Sequence, residues 1–413
     1  MKKSGRRGSL YSGPMSQPAG GPDPRDLAAI VEGRYDEYVD ALRDMVDVDC
    51  GSFTPDGVNR IADRCVARFE ALGAEVERIP HEPSEGEERL GDLLIGRLPG
   101  AGPDAFSMLM LGHMDTVFGP GTAAERPFAI DGDRARGPGV SDMKGGLLAG
   151  FFALEALRQA DALEASVTYL CNPDEEIGSP FSRPHIRRLA AGADAAFVLE
   201  GARENGDIVS ARKGVRDLRV EIQGRAAHAG VEPERGRSAV LQAAHTTIAL
   251  NELNGRWPGV TVNVGVVQGG TRPNVVAERC VLEVDLRSPS AGSFAEAHAE
   301  AQRMIHEVHV PDVEVRVESR GWHDPMERSE GTARLAETAR AAASELGFEL
   351  RDAATGGASD ANTTAAAGIP TLDGLGPVGG DDHGPAEWLD LTTVVLRVAL
   401  LATLLSRARA ALR

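Results

Sequence analysis

Cysteine is scarce and scattered. The four in this 413-residue chain, Cys50, Cys65, Cys171 and Cys280, form no Cys-x-x-Cys pair. That excludes a disulfide scaffold or a cysteine-rich zinc module and leaves free thiols in a reducing compartment as the expectation. Positive charge is short as well: 44 Lys and Arg stand against 62 Asp and Glu, for a net charge of −18. This balance argues against nucleic acid and anionic membrane surfaces as partners. No stretch approaches the ~20 apolar residues needed to cross a bilayer. There is no internal repeat, and the N-terminus MKKSGRRGSLYSGPMSQPAGGPDPRD lacks the apolar centre of a signal peptide. Residues 1–24 read as a disordered segment, with Met1 or Met15 as the start, on a cytoplasmic protein.

What the chain has instead is a series of acids and histidines in five places: LMLGHMDTVF (109–118), GPGVSDMKGG (137–146), CNPDEEIGS (171–179), VLEG (198–201) and GGDDHGPAE (379–387). Imidazole and carboxylate suit Zn²⁺, Mn²⁺ or Co²⁺. SMLMLGHMD opens as an uninterrupted apolar run, as a strand buried on both faces would, so His113 and Asp115 fall at its carboxyl end. Two positions apart in extended chain they point the same way, which lets Asp115 hold one ring nitrogen of His113 while the other takes a metal. Asp142 follows a Gly-Pro-Gly loop and precedes a helix expected from Met143 to Leu157, and its two oxygens suit a bridge between ions. Glu175 and Glu176 are adjacent and point apart, giving a base and a ligand from one dipeptide. AAFVLEG ends in Glu200, and a Gly-rich loop offers His383. Taken alone, a His-x-Asp or an Asp-Glu-Glu says little. Apolar strands delivering each of these groups to one sheet edge, where α/β folds place their sites, say metal-assisted hydrolysis.

A chain of this length exceeds one ordinary core. Glu200 and His383 lie 183 positions apart, and between them RKGVRDLRVEIQGR, SAVLQAAHTTIALNELN, GVTVNVGVVQGG, ERCVLEVDLRSP, SFAEAHAEAQRMIHEV and VEVRVESRG read in the order βαββαβ. That is the ferredoxin-like split motif, an α+β domain inserted over 211–322. The expected class is therefore α/β: a catalytic domain from 25–210 and 323–413, with a mixed, mostly parallel sheet and helices on both faces, interrupted by the insert. His81, His245 and His306 read as surface or helix-face residues.

The motifs HMD, GVSDMKGG, NPDEE, the glutamate of LEG, and DDHGPAE resemble the M20 family of dizinc peptidases, over roughly residues 30–410. The resemblance is especially to the branch containing glutamate carboxypeptidase, with the acetylornithine and succinyl-diaminopimelate deacylases nearby. The resemblance implies that His113 and Glu200 bind one metal, Glu176 and His383 the other, and Asp142 bridges, with two ions, Zn²⁺ first and Co²⁺ or Mn²⁺ as alternatives. It implies Glu175 as general base and Asp115 as partner to His113. His228 in QGRAAHAG would stabilise the oxyanion across a homodimer interface formed by the 211–322 lid and dimerisation domain. Asn274 and Arg287 would hold the substrate carboxylate, and Gly356, Gly357 and Ser359 of TGGASDAN would pack on its terminal amino acid. Arg212 and Lys213 fall near a position that favours glutamate. Glutamate at 200, where many aminopeptidase-like relatives carry aspartate, points to the carboxypeptidase and deacylase side.

The activity implied is release of a C-terminal amino acid from a peptide, through metal-activated water between ions roughly 3.5–4 Å apart. An N-acyl amino acid deacylase, a carbamoyl-type amidohydrolase and a catalytically silent binding relative are the other readings of the same residues.

Overall fold

The computed structural model describes residues 21–102 and 105–413. The expected disordered segment lies mostly outside that range. The first helix, Pro24–Glu32, is capped by Asp23, whose carboxylate accepts the Arg25 N–H.

Six strands form the principal sheet in the order Glu75–Ile79, Leu93–Leu98, Ser166–Asn172, Ser107–His113, Ala195–Val198 and Thr371–Leu372. The two pairings at the first edge are antiparallel and the other three parallel, so the sheet is mixed. Ser107–His113 sits inside it, and its alternation explains why that stretch is apolar throughout. Met108 and Met110 pack in the large core beneath helices Gly145–Gln159 and Val394–Leu412. Leu109 and Leu111 pack on the opposite face with Ile186 and Ala190 of helix Arg183–Ala190 and Ala361 of helix Asp360–Ala366. A strand buried on both sides has no face left for a polar residue until it ends, and it ends on His113.

The helix Val394–Leu412 revises one expectation. With the turn that precedes it, Leu391–Leu412 is long and apolar enough to cross a membrane. A count of uninterrupted apolar residues passes over it because Arg397 and small hydroxyl residues break the run. The helix is nevertheless a core element: Leu400, Leu401, Leu404 and Leu405 are buried, and each guanidinium nitrogen of Arg397 donates to a carbonyl, of Gly376, Gly206 or Gly374. His81 also departs from expectation. It is buried, with Nδ1 accepting the Leu90 N–H at 3.1 Å and its ring edge-on to Phe181.

Between these parts the chain builds a second sheet from Gly214–Gln223, Thr261–Gly269, Arg279–Ser288 and Glu314–His323, with helices Ala239–Asn251 and Ala291–Ile305. All three pairings are antiparallel, in the order second, third, first, fourth. That is the ferredoxin-like arrangement, and its core, including Leu218, Val220, Leu282 and Phe294, is a separate cluster. Thr261–Gly269 lies at an edge of this sheet.

Candidate active site

His113 reaches the site because its strand stops there. Its Nδ1 lies 2.9 Å from the main-chain carbonyl of Asp115 and 3.4 Å from Oδ1 of the same residue. The ring nitrogen thus faces both the carbonyl and, farther off, the carboxylate of Asp115. The Asp115 carboxylate also accepts the N–H groups of Glu175 and Glu176 at 3.1 and 3.2 Å and the Ser52 hydroxyl at 2.7 Å. Fully buried, it anchors the loop that presents both glutamates.

Asp142 lies in an irregular turn, Val140–Lys144, and the helix begins only at Gly145, later than the sequence pattern indicates. The non-helical backbone at Asp142 and Met143 directs the carboxylate between two imidazoles. Oδ1 is 3.1 Å from His113 Nε2 and Oδ2 is 2.9 Å from His383 Nε2. Glu200 Oε2 stands 3.7 Å from His113 Nε2, and Glu176 Oε2 stands 3.2 Å from His383 Nε2. Two donor sets result, His113 with Glu200 and His383 with Glu176, and Asp142 gives one oxygen to each. Glu175 is beside the first set, within 4.8 Å of the His113 and Glu200 donor atoms.

These groups fit divalent cations. Burial and then the neighbouring Glu200 push Glu175 well above its ordinary pKa, and burial raises Glu200 to about 7. Hydrogen bonds to Asp142 and Glu176 raise His383 to about 10. Burial opposes a charge on His113, yet Glu200, Asp115 and Asp142 drive it upward. Besides burial, carboxylates packed this closely raise one another, and that mutual repulsion is the electrostatic condition a bound cation relieves.

The cleft over this cluster is about 230 Å³ and is lined by Glu175, Glu176, Glu200, His383, Arg203 and Arg212 among others. A larger cavity, about 380 Å³, lies between helices Tyr35–Val46 and Pro55–Ala71, away from the carboxylates. Arg203 follows Glu200 closely, yet no isolated motif marks it in the sequence. Asp373, Asp382 and Glu387 likewise carry no sequence assignment. Asp373 directly follows the strand Thr371–Leu372, but that strand is only two residues long and gives no apolar run in the sequence.

The remaining expected residues lie outside this cleft lining. His228 and Asn274 come together on adjoining loops, where the Ala229 N–H donates to the Asn274 carbonyl and His228 bridges to Val275. Both are exposed, and His228 Nδ1 accepts the Gly230 N–H. Arg287 is occupied: its guanidinium is forked onto the Asp285 carboxylate, and Nη1 donates to the Gly356 carbonyl at 2.8 Å. The Gly357 carbonyl accepts from Arg212 at 3.1 Å. Both glycines of this loop therefore present their carbonyls to arginines. Ser359 caps helix Asp360–Ala366 through a capping box with Asn362.

The model of peptidase family M20/M25/M40 matches residues 109–407, which include all five acid- and histidine-bearing segments. Carboxypeptidase G2 from Pseudomonas sp. (strain RS-16) is 28% identical over 374 residues, covering 89% of this chain and 88% of that protein. Acetylornithine deacetylase from Myxococcus xanthus is 30% identical over 259 residues, covering 60% of this chain and 65% of that one. The crystal structure of aminopeptidase PepT from Bacillus cereus shares the fold, with a TM-score of 0.74 at 24% identity over 91% of this chain and 99% of that chain. The family match spans most of the chain, and the residues it covers converge on a single acid and imidazole cluster: the chain belongs to peptidase family M20/M25/M40 and is a hydrolytic enzyme.

Proposed function

We propose that the protein is a two-metal hydrolase that releases a C-terminal amino acid from a peptide or acyl amino acid, as a glutamate-type carboxypeptidase. The observation that carries the reading is the division of the Asp142 oxygens between His113 and His383, with Glu200 and Glu176 completing the two sets and Glu175 left over as base. His113, Glu200 and Asp142 would hold one ion, and His383, Glu176 and Asp142 the other. The donor chemistry suits Zn²⁺, with Co²⁺ and Mn²⁺ as alternatives. When bound, such ions polarise a carbonyl and acidify water.

The chain's own residues do the rest. Glu175 accepts the proton of the attacking water and returns it to the leaving amine. Asp115 keeps both glutamates in place through their N–H groups. Arg203 on the cleft wall favours a substrate with an additional acid, with Arg212 beside it held by Asp373. Arg287 holds the substrate carboxylate after exchanging the Gly356 carbonyl for it, and Asn274 lies on the same inserted sheet domain.

His228 acts on the oxyanion from a partner subunit, which accounts for its exposed place outside the cleft lining. Support for a homodimer comes from Leu241 and Ile248 on helix Ala239–Asn251, 52% and 63% exposed, and from Val267 on the edge strand, 54% exposed. N-acyl amino acid deacylation is the second reading, favoured by the similarity to acetylornithine deacetylase.

The test is release of free amino acid from a panel of C-terminal dipeptides, acyl-glutamates and acetyl or succinyl amino acids, using chelated protein with Zn²⁺, Mn²⁺ or Co²⁺ restored. Metal-restored release of glutamate above other residues supports the carboxypeptidase. Release confined to acetyl or succinyl substrates makes it a deacylase, and two bound metals without hydrolysis of any member point to a binding relative.

A further inference from the structure

We infer that Glu387 is a positioning residue for the metal site, gripping the backbone that carries Asp142 and tying it to the loop that carries His383. Its side chain is buried, 1% exposed, and its hydrogen bonds go to backbone and not to the proposed ligand side chains. Instead it accepts three backbone N–H groups from one short turn. Oε2 takes Gly139 at 2.9 Å, and Oε1 takes Ser141 at 2.9 Å and Asp142 at 3.1 Å. Gly139 is in the left-handed region at φ 72°, which curls successive N–H groups toward one point, the usual form of a backbone anion nest.

Sequence distance makes this grip informative. Glu387 is four residues beyond His383 and about 245 residues from Asp142, so one carboxylate sets the spacing between segments that have no sequence proximity. Close packing enforces the same contact. A Cβ on Gly139 would come within 2.5 Å of the Thr116 side chain, and one on Gly379 within 2.1 Å of Ser141 Oγ. Arg136 and Arg126 add hydrogen bonds to the carbonyls of Ala386 and Gly384, on the same loop. The Asp142 side chain must meet His113 with one oxygen and His383 with the other, and a small rotation of its backbone would break that division. Glu387 bonds the Asp142 main chain itself, so it restrains that rotation directly.

The inference rests on the two-metal reading and is tested on the full chain by metal competition against a chromogenic chelator. Glu387→Gln keeps the shape but turns an NH₂ toward either Gly139 or the Ser141 and Asp142 pair, so one N–H group or pair loses its acceptor. The expected result is a loss of roughly 10–100-fold in Zn²⁺ affinity, the usual cost of removing a partner that orients a ligand. Turnover should then recover at high Zn²⁺ with KM unchanged, which a merely structural defect would not allow. Glu387→Asp retains the charge one methylene short and should restore part of the affinity; it also serves if the Gln variant does not fold. Wild-type affinity in both variants overturns the inference alone, and so does lost turnover that saturating Zn²⁺ does not recover. Wild-type protein that binds no metal overturns the two-metal reading beneath it.

Discussion

Arg212 and Asp373 form a buried ion pair at the wall of the cleft, Nε to Oδ2 at 2.7 Å. Asp373 is fully buried and also accepts the Ser359 hydroxyl at 2.6 Å, while Arg212 reaches the Gly357 carbonyl. One carboxylate therefore ties the strand Ile208–Arg212 to the loop before helix Asp360–Ala366. Asp373→Ala leaves a guanidinium buried without its counter-charge, and the expected cost is on the order of 3–5 kcal/mol in urea unfolding. A loss below about 1 kcal/mol, the range of an exposed pair, would show that solvent already screens the contact.

Arg203 lines the cleft beside the acid cluster. Arg203→Ala should raise KM for an acyl-glutamate about tenfold, equivalent to about 1.4 kcal/mol, and leave the matching acyl-glutamine nearly unchanged. Steady-state kinetics on the two substrates check it. An equal change for both would assign Arg203 to the structure of the rim and not to substrate charge.

Removing metal should destabilise the protein. Asp142, Glu175, Glu176 and Glu200 crowd the site, and burial raises Glu175, Glu176 and Glu200. A cation that binds only the folded chain stabilises it by mass action, about 4 kcal/mol at a thousand times its Kd. Chelation should lower the melting temperature by several degrees, on the order of 5 °C for a chain of this size, and Zn²⁺ should restore it. A melting curve indifferent to chelator and Zn²⁺ would contradict the metal site.

His323 supplies a pH dependence of stability. Burial, with Arg183, Arg187 and Arg212 nearby, lowers its pKa from 6.5 to about 4. A base whose folded pKa is depressed binds fewer protons folded than unfolded, so stability is full above about pH 6.5 and declines as pH falls toward 4. His323→Gln should flatten that decline, read as the pH dependence of the urea midpoint. An unchanged slope between those limits would remove His323 as its source.

Much of the site was legible in the sequence because the acids and histidines follow apolar strands, and strand ends are where such a sheet gathers its chemistry. His113, Glu175, Glu176 and Glu200 reach the cluster for that reason, whereas Asp142 and His383 arrive on turns that follow short strands of a different sheet. What the sequence could not show are contacts set by packing between distant segments. Asp115 faces the His113 ring as two extended residues sharing a face would, but that its carbonyl comes closer still and its carboxylate also anchors the next strand's loop was not legible. Asp373 and Glu387 were silent because their partners are 161 and 245 or more residues away. Arg287 was legible as a strand residue, but its engagement by Asp285 and Gly356 depends on how the inserted sheet packs against the loop at 356.

The measurement that bears most directly on the central claim is turnover of Glu175→Gln beside wild type, with bound metal counted in both. Glu175 donates no oxygen to the Asp142 bridge, and removing its carboxylate as base should cost at least about 10²–10⁴-fold in kcat. The expected result is two metal ions per chain in each protein and that loss in the variant alone. Near-normal turnover in Glu175→Gln with both metals present would contradict the assignment of the base and the proposed mechanism with it.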